Sequence, residues 1–467
     1  MKYVSTRAED GAEALAFDDV LLAGLARDGG LYLPESWPQF SREDIKAMQG
    51  LSYVDLCLRV TEPFLGDTIS RDDMRAIATK AYETFSHKAI TPISQIDEKT
   101  YVLELFHGPT LAFKDLAMQL LGGLFDHVLK AKGRKTTIVG ATSGDTGGAA
   151  IDAMKGRDAV STFILHPEGR VSDVQRRMMT TIDDPKVHNI AIEGTFDDCQ
   201  SIVKALFNDH AFRDETGLGG VNSINWARVM AQIVYYFAAG LALGAPDRKL
   251  AFVVPTGNFG DIFAGYAAKQ MGLPIERLVI ATNANDILVR TLTTGEYKPS
   301  GVLPTTSPSM DIQVSSNFER LIFEAAGRDA AEVRGYMNSL SQSGAYTLGA
   351  ETLANIQRDF TALRCDEAAV EKTIKATLAT SEYLADPHTA TALHAAGQLG
   401  DLGDDVARVV LSTAHPAKFP EAVEKISGVY PGLPPAFADL AERREHYKVL
   451  PNSVDAVRTY VLENKGA

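Results

Sequence analysis

Cysteine is scarce. Cys57, Cys199 and Cys365 are the only three in 467 residues, and they stand too far apart for a CxxC pair or a zinc-ligand spacing. A disulfide framework is excluded, and a reducing compartment, the cytoplasm, is expected. An apolar leader is missing as well, since Met1 to Gly11 is charged and has no h-region. No uncharged run is long enough to span a bilayer. Internal repeats and low-complexity tracts are absent. Positive charge is in deficit: the formal net charge of -14 argues against nucleic acid or an anionic membrane as partner. A small anionic ligand stays open, because a few local cations and backbone amides outweigh a diffuse field at contact distance. No stretch has metal-ligand spacing, and no metal is expected.

The composition that remains, 45% hydrophobic and 23% charged, is that of a soluble globular protein. The length exceeds what one core holds, so two or three domains with a cleft between them are expected. Residues 1–95 read as mostly helical, with Ser41 capping a helix that opens Arg-Glu-Asp44 and Ser52 capping the next. Asp28-Gly-Gly-Leu-Tyr-Leu-Pro34 reads as a turn followed by a short extended piece.

From Thr100 the pattern becomes strand, loop, helix, repeated. Strands are expected at Tyr101 to Phe106, Thr136 to Val139, Val160 to Leu165, His188 to Ile192, Leu250 to Val254, Leu278 to Ala281 and Val409 to Leu411. Helices are expected at Ala112 to Leu121, Ala149 to Met154 and Ile262 to Met271. Apolar strands alternating with helices predict α/β layers on a mainly parallel sheet, with ligands beyond the strands' carboxyl ends. The expected division is a small α/β domain over 96–230 and a large one over 231–467.

Four motifs fall at such strand ends. In His107-Gly-Pro-Thr-Leu-Ala-Phe-Lys114-Asp, the lysine lies near a helix N-terminus, where the macrodipole disfavours its cation. A free lysine with a pKa of about 10.4 is a poor imine former at neutral pH. Desolvation by Leu111, Ala112 and Phe113 would lower that value. A solvated lysine at a helix start has the same local pattern.

Gly140-Ala-Thr-Ser-Gly-Asp-Thr-Gly-Gly148 offers glycines, hydroxyls and a helix N-terminus, which together make an anion site. It has neither the Walker ending nor the dinucleotide spacing. Pro255-Thr-Gly-Asn-Phe-Gly-Asp261 is a second such loop. Either alone is also what a tight strand-to-helix turn looks like. Two of them beside a lysine point to two anions, or to one ligand with two anionic ends. Gly219 to Arg228 gathers Asn222, Ser223 and Arg228, whose fork reaches the same anion if Arg228 begins a helix. In Ser412-Thr413-Ala-His415-Pro-Ala-Lys418-Phe419, Thr413 puts a neutral hydroxyl at a strand end. His107 and His415, beside proline turns, read as structural and receive no role.

Taken in order, these motifs, with Ser5-Thr-Arg7 and the Asp28 to Pro34 turn, resemble the threonine synthases of the long bacterial and fungal form. The resemblance runs from the N-terminus to within fifty residues of the end. It implies a tryptophan-synthase β-like fold (fold type II), with two open α/β domains behind a mostly helical N-terminal domain, and pyridoxal 5'-phosphate as cofactor. On that resemblance Lys114 would form the imine with the cofactor. The backbone of Gly257, Asn258, Phe259, Gly260 and Asp261 would hold its phosphate, Thr413 would face its pyridine nitrogen, and Asp145 would lie beside its phenolic oxygen. Thr142, Ser143, Gly144 and Thr146 would take a substrate carboxylate. Asn222, Ser223 and Arg228 would take a substrate phosphate, with a contribution from Thr146. A carboxylate at 145 would repel a phenolate unless the two share a proton.

The implied reaction turns O-phospho-L-homoserine and water into L-threonine and phosphate. Lys114 would serve as general base at Cα, phosphate would leave from Cγ, and water would add at Cβ. The long form implies a monomer. A β-eliminating lyase for phospho-amino acids and a non-catalytic phospho-amino-acid sensor are the competing readings.

Overall fold

The computed structural model describes residues 1–403 and 405–466. Its helices and strands follow the expected order, with ends shifted by a few residues. The Lys114 helix is Lys114–Ala131 rather than Ala112 to Leu121, because Leu111 to Phe113 is laid against another strand end and enters no helix. The next begins at Asp145, not Ala149, so the glycines 147 and 148 lie inside Asp145–Met154.

Two parallel sheets organise the chain. The larger has six strands in the order Phe360–Arg364, Ile275–Thr282, Lys249–Pro255, Val406–Ser412, Thr100–Glu104 and Ile93–Gln95, and only the last pairing is antiparallel. The smaller has five parallel strands in the order Lys448–Pro451, Val187–Glu193, Val160–Pro167, Thr136–Ala141 and Leu218–Gly219. Cuts at 95 and 230 therefore do not follow the sheets. Thr100–Glu104 pairs with Val406–Ser412 in the larger sheet, and Lys448–Pro451 joins the smaller one. A parallel strand takes its neighbours through crossovers, so adjacency in sequence says little about its sheet.

The N-terminal residues pack their helices Phe17–Ala23, Arg42–Ala47, Tyr53–Leu65 and Arg71–Tyr82 on the larger body. Ser41 makes a capping box with Asp44, and Ser52 caps the following helix. The Asp28 turn has a steric logic: Asp28 accepts from the Ser5 hydroxyl and the Gly30 amide, both at 2.8 Å. A Cβ on Gly30 would lie 2.2 Å from the Ser5 oxygen, and Gly29 has φ +81°. Thr6 and Arg7 then reach across the molecule to buried Glu319, with Thr6 Oγ1 at 2.6 Å and Arg7 Nε at 2.8 Å. Trp226 is fully buried among Tyr3, Trp37 and Phe64, which joins this segment to the main core.

One helix contact sets the spacing of the site. Lys114–Ala131 and Asp145–Met154 touch so closely that a Cβ on Gly122 would lie 2.4 Å from the Ala153 carbonyl oxygen. Nearby, Gln119 donates to Asp152 at 2.6 Å. Since Lys114 and Asp145 are the first residues of these helices, their separation depends on that contact. Gly122→Ala is expected to lower the apparent unfolding free energy by about 1–3 kcal/mol through overpacking. Urea denaturation of the two proteins side by side is the check.

Candidate functional site

Lys114 is placed by a short piece of antiparallel backbone. Ala112 bridges Ala414, Phe113 N donates to Thr413 O at 2.8 Å, and His415 N donates to Leu111 O at 3.0 Å. Leu111 takes φ +58° to make the turn. The side chain that emerges is buried, 8% exposed, with its Nζ 3.3 Å from both Asp145 Oδ2 and Ser309 Oγ. Burial pushes its pKa down, Asp145 opposes this, and the cations Lys418 and Arg228 push it further down. The expected desolvation is present.

Asp145 is held from four sides. Lys418 Nζ at 2.6 Å and Gln175 Nε2 at 2.9 Å occupy Oδ1, while Ser309 Oγ at 3.0 Å joins Lys114 on Oδ2. Burial alone would raise its pKa, yet Lys114 and Lys418 hold it well below the usual carboxylate range. Two lysines thus share the Asp145 carboxylate. Gly144 has φ +140°, and a Cβ there would lie 2.6 Å from the Gln175 side chain, so glycine keeps Gln175 on Asp145. Thr142 Oγ1 accepts from the Gly144 and Gly147 amides at 2.9 and 2.8 Å, which fixes the loop. The Ser143 and Thr146 side chains, half-buried, donate to no other described residue, and neither do the amides of Ser143, Asp145 and Thr146.

The second loop has two of its carbonyls held by neighbouring side chains and backbone. Ser315 Oγ donates to Gly257 O at 2.6 Å, and the Asn317 amide and side chain donate to Asn258 O at 3.0 and 2.9 Å. Phe259 adopts φ +66° just before the helix Gly260–Gln270. None of the amides from Gly257 to Asp261 donates to another described residue. The Asp261 side chain faces away, accepting from the buried hydroxyls of Tyr235 at 2.5 Å and Tyr236 at 2.9 Å. Its Oδ2 is buried without a partner, and burial raises its pKa to about 7 against the pull of the two tyrosines. The raised value weakens the negative charge that Asp261 sets beside this loop.

Arg228 is the third residue of the helix Trp226–Ala242 and is 3% exposed. Its Nη1 donates to Val221 O at 3.3 Å, and its Nε is buried with no partner. Burial lowers its pKa to about 10, still a cation. Asn222 is exposed and Ser223 half-buried, and among the described residues no hydrogen bond joins either side chain to Arg228. Asn225 is instead the helix cap, accepting from Ala227 N at 3.0 Å. The Ser223 carbonyl would be 3.6 Å from a Cβ on Gly260, which brings this cluster to the second loop.

Thr413 is buried at its strand end directly beside the Lys114 segment. His107 pairs with Glu104 at 2.7 Å, and the His415 ring accepts from Ala417 N at 3.1 Å, with burial lowering its pKa to about 4. Neither ring is joined by a hydrogen bond to Lys114 or Asp145 among the described residues. Four participants carried too little sequence signal to be singled out: Gln175, Ser309, His388 and Lys418. Lys418 belongs to the Ser412 to Phe419 motif, but nothing in that string shows a lysine turned inward. Ser309 N donates to His388 Nε2 at 3.3 Å, and His388 Nδ1 is 2.7 Å from Asp386, which fixes the tautomer and orients the Ser309 turn.

A buried amine, two unpartnered amide cradles and a buried guanidinium with a free N–H fit pyridoxal phosphate and a second anion. Among the described residues no group of histidine, cysteine and acidic side chains could hold a metal ion, and no helix is long and apolar enough to cross a membrane.

Three family models match the chain: Threonine synthase N terminus over residues 2–82, Pyridoxal-phosphate dependent enzyme over 86–357, and Threonine synthase, C-terminal over 389–461. A threonine synthase of Pseudomonas aeruginosa is 51% identical over 465 residues, covering 99% of this chain and 98% of its own. A crystal structure of PLP-bound threonine synthase from Brucella melitensis superposes with a TM-score of 0.97 at 56% identity, covering 100% of both chains. The yeast threonine synthase structure gives 0.95 at 38% identity, covering 99% of this chain and 98% of that one.

Asp261 makes a pH signature. A folded pKa near 7 lies above the ordinary carboxyl value of about 3.9, so the folded state holds this proton more tightly. The resulting stability is complete below about pH 4 and is lost as pH rises through about 7. The stability of Asp261→Asn relative to the parent is expected to increase between pH 5 and 8 in urea titrations. A difference that does not vary with pH would show the acid to be ionised in place.

Proposed function

From the chain's membership of the threonine synthase family of fold type II pyridoxal-phosphate enzymes, we propose that it converts O-phospho-L-homoserine and water to L-threonine and phosphate. The observation that carries the assignment of the site is Lys114: a buried amine 3.3 Å from Asp145, in a site where the amides of Ser143, Asp145 and Thr146 and those from Gly257 to Asp261 donate to no other described residue. Pyridoxal phosphate, when bound, supplies the conjugated electron sink that lets protons leave Cα and Cβ. Lys114 would hold the cofactor and would serve as the general base that moves protons at the substrate carbons. Gly257, Asn258, Phe259, Gly260 and Asp261 hold the cofactor phosphate through their amides. Thr413 offers the ring nitrogen a neutral hydroxyl, which does not enforce its protonation.

The loop of Thr142, Ser143, Gly144 and Thr146 takes the substrate carboxylate through the free amides of Ser143, Asp145 and Thr146 and the flanking hydroxyls. Arg228, with Asn222 and Ser223, takes the substrate phosphate and stabilises the charge that grows as it leaves. The same grip orients the Cγ–O bond. Asp145, locked by Lys418 and Gln175, gives the freed Lys114 amine a fixed acceptor to return to. We further propose a cytoplasmic monomer, in keeping with three free buried cysteines.

Two outcomes are expected. Borohydride treatment of the purified protein should bleach its visible absorbance and leave a pyridoxyl group on Lys114 in peptide maps; an unmodified Lys114 in protein supplied with the cofactor would favour the sensor reading. Arg228→Ala should lower kcat/KM for O-phospho-L-homoserine by about 10²- to 10³-fold with the visible spectrum unchanged. Release of phosphate from phosphothreonine in preference to phosphohomoserine would favour the lyase.

A further inference from the structure

Two lysines from different parts of the chain meet on Asp145. Lys114 opens the helix after Thr100–Glu104, whereas Lys418 ends the 3-10 turn Pro416–Lys418 after Val406–Ser412. Lys418 is the deeper of the two, 1% exposed against 8%. Its Nζ donates to Thr110 O at 2.7 Å and to Asp145 Oδ1 at 2.6 Å. Thr110 is itself fixed by Asp115, which accepts from its amide at 2.8 Å and its hydroxyl at 2.5 Å. An apolar side chain of similar length would suit this position better if packing were all it supplied. The placement is specific in another respect: Lys418 and Gln175 take Oδ1 and leave Oδ2 to Lys114 and Ser309.

We infer that Lys418 is a positioning residue for Lys114: it locks the Asp145 carboxylate in one orientation and sets a second positive charge beside the Lys114 ammonium, which eases loss of the proton that must leave before the nitrogen can attack an aldehyde. The charged groups facing Lys114 are Asp145, Lys418 and Arg228, and His388, paired with Asp386, faces Asp145. Lys418 is one of the two cations that depress the Lys114 pKa beyond the effect of burial. Removing it frees Asp145 to pair with Lys114 alone, and both changes favour the protonated amine. Condensation with the cofactor aldehyde joins the nitrogen lone pair to the carbonyl carbon and expels the aldehyde oxygen as water, with no net oxidation. It requires the neutral amine.

This inference rests on Lys114 being the cofactor lysine, and the test separates the two. Full-length protein stripped of cofactor is mixed with pyridoxal phosphate across a pH series, and the rate at which visible absorbance appears is followed. In Lys418→Met the midpoint of that pH profile is expected to rise by about one unit, and the rate at neutral pH to fall about tenfold. Lys418→Gln, which can still donate to Asp145 and Thr110, should shift it equally, while Lys418→Arg should stay within a few tenths of the parent. An unchanged midpoint in the neutral variants, or a rate lowered at every pH without a shift, would overturn the inference. So would neutral variants that do not fold while Lys418→Arg does, since Lys418 would then serve folding alone. Failure of the parent itself to take up pyridoxal phosphate on Lys114 would defeat the functional assignment instead.

Discussion

Two ammonium groups cannot share a dry space unless an anion stands between them, and the centre of this molecule is built around that constraint. Lys114 and Lys418 both follow strands of the larger sheet, while Asp145 begins a helix of the smaller one. The carboxylate is therefore a charge balance and also the point where the carboxyl ends of the two sheets are fastened.

Two aspartates open helices at the site, and their surroundings drive them to opposite states. Asp145 has cations on both oxygens and stays ionised; Asp261 has only phenolic hydroxyls on one oxygen and is pushed toward the neutral form. The consequence is a sorting of charge. Negative charge is kept beside the two lysines and weakened beside the loop whose amides have no described partner. Arg228 completes the pattern as a buried cation with an uncommitted N–H.

The order of strands and helices, the mainly parallel pairing and the loops at strand ends could be read from the chain, because apolar runs and glycine-rich turns act locally. The burial of Lys114 was legible from its apolar neighbours for the same reason. What could not be read were interactions made by distant residues. Lys418 and Asp145 are separated by most of the chain, and nothing in either motif announces the other. The pairing of Thr100–Glu104 with Val406–Ser412 is equally long-range, which is why divisions at 95 and 230 cut across the sheets. Thr142 shows a subtler limit: its hydroxyl marks an anion loop in sequence, yet its oxygen accepts from two amides of that same loop.

The pairing of Val406–Ser412 also bears on how the molecule is made. This strand is interior to the larger sheet, between Lys249–Pro255 and Thr100–Glu104. As the polypeptide leaves the ribosome, Thr100–Glu104 has only the antiparallel Ile93–Gln95 beside it in that sheet, and its other edge stays open until some three hundred further residues have emerged. Lys448–Pro451, which borders the smaller sheet, arrives later still. Such late closure means slow folding and a long interval with open strand edges, the condition under which chaperones are needed. It also means that Lys418 reaches Asp145 only near the end of synthesis, so a nascent or truncated chain holds Lys114 without the charge arrangement that surrounds it in the finished protein.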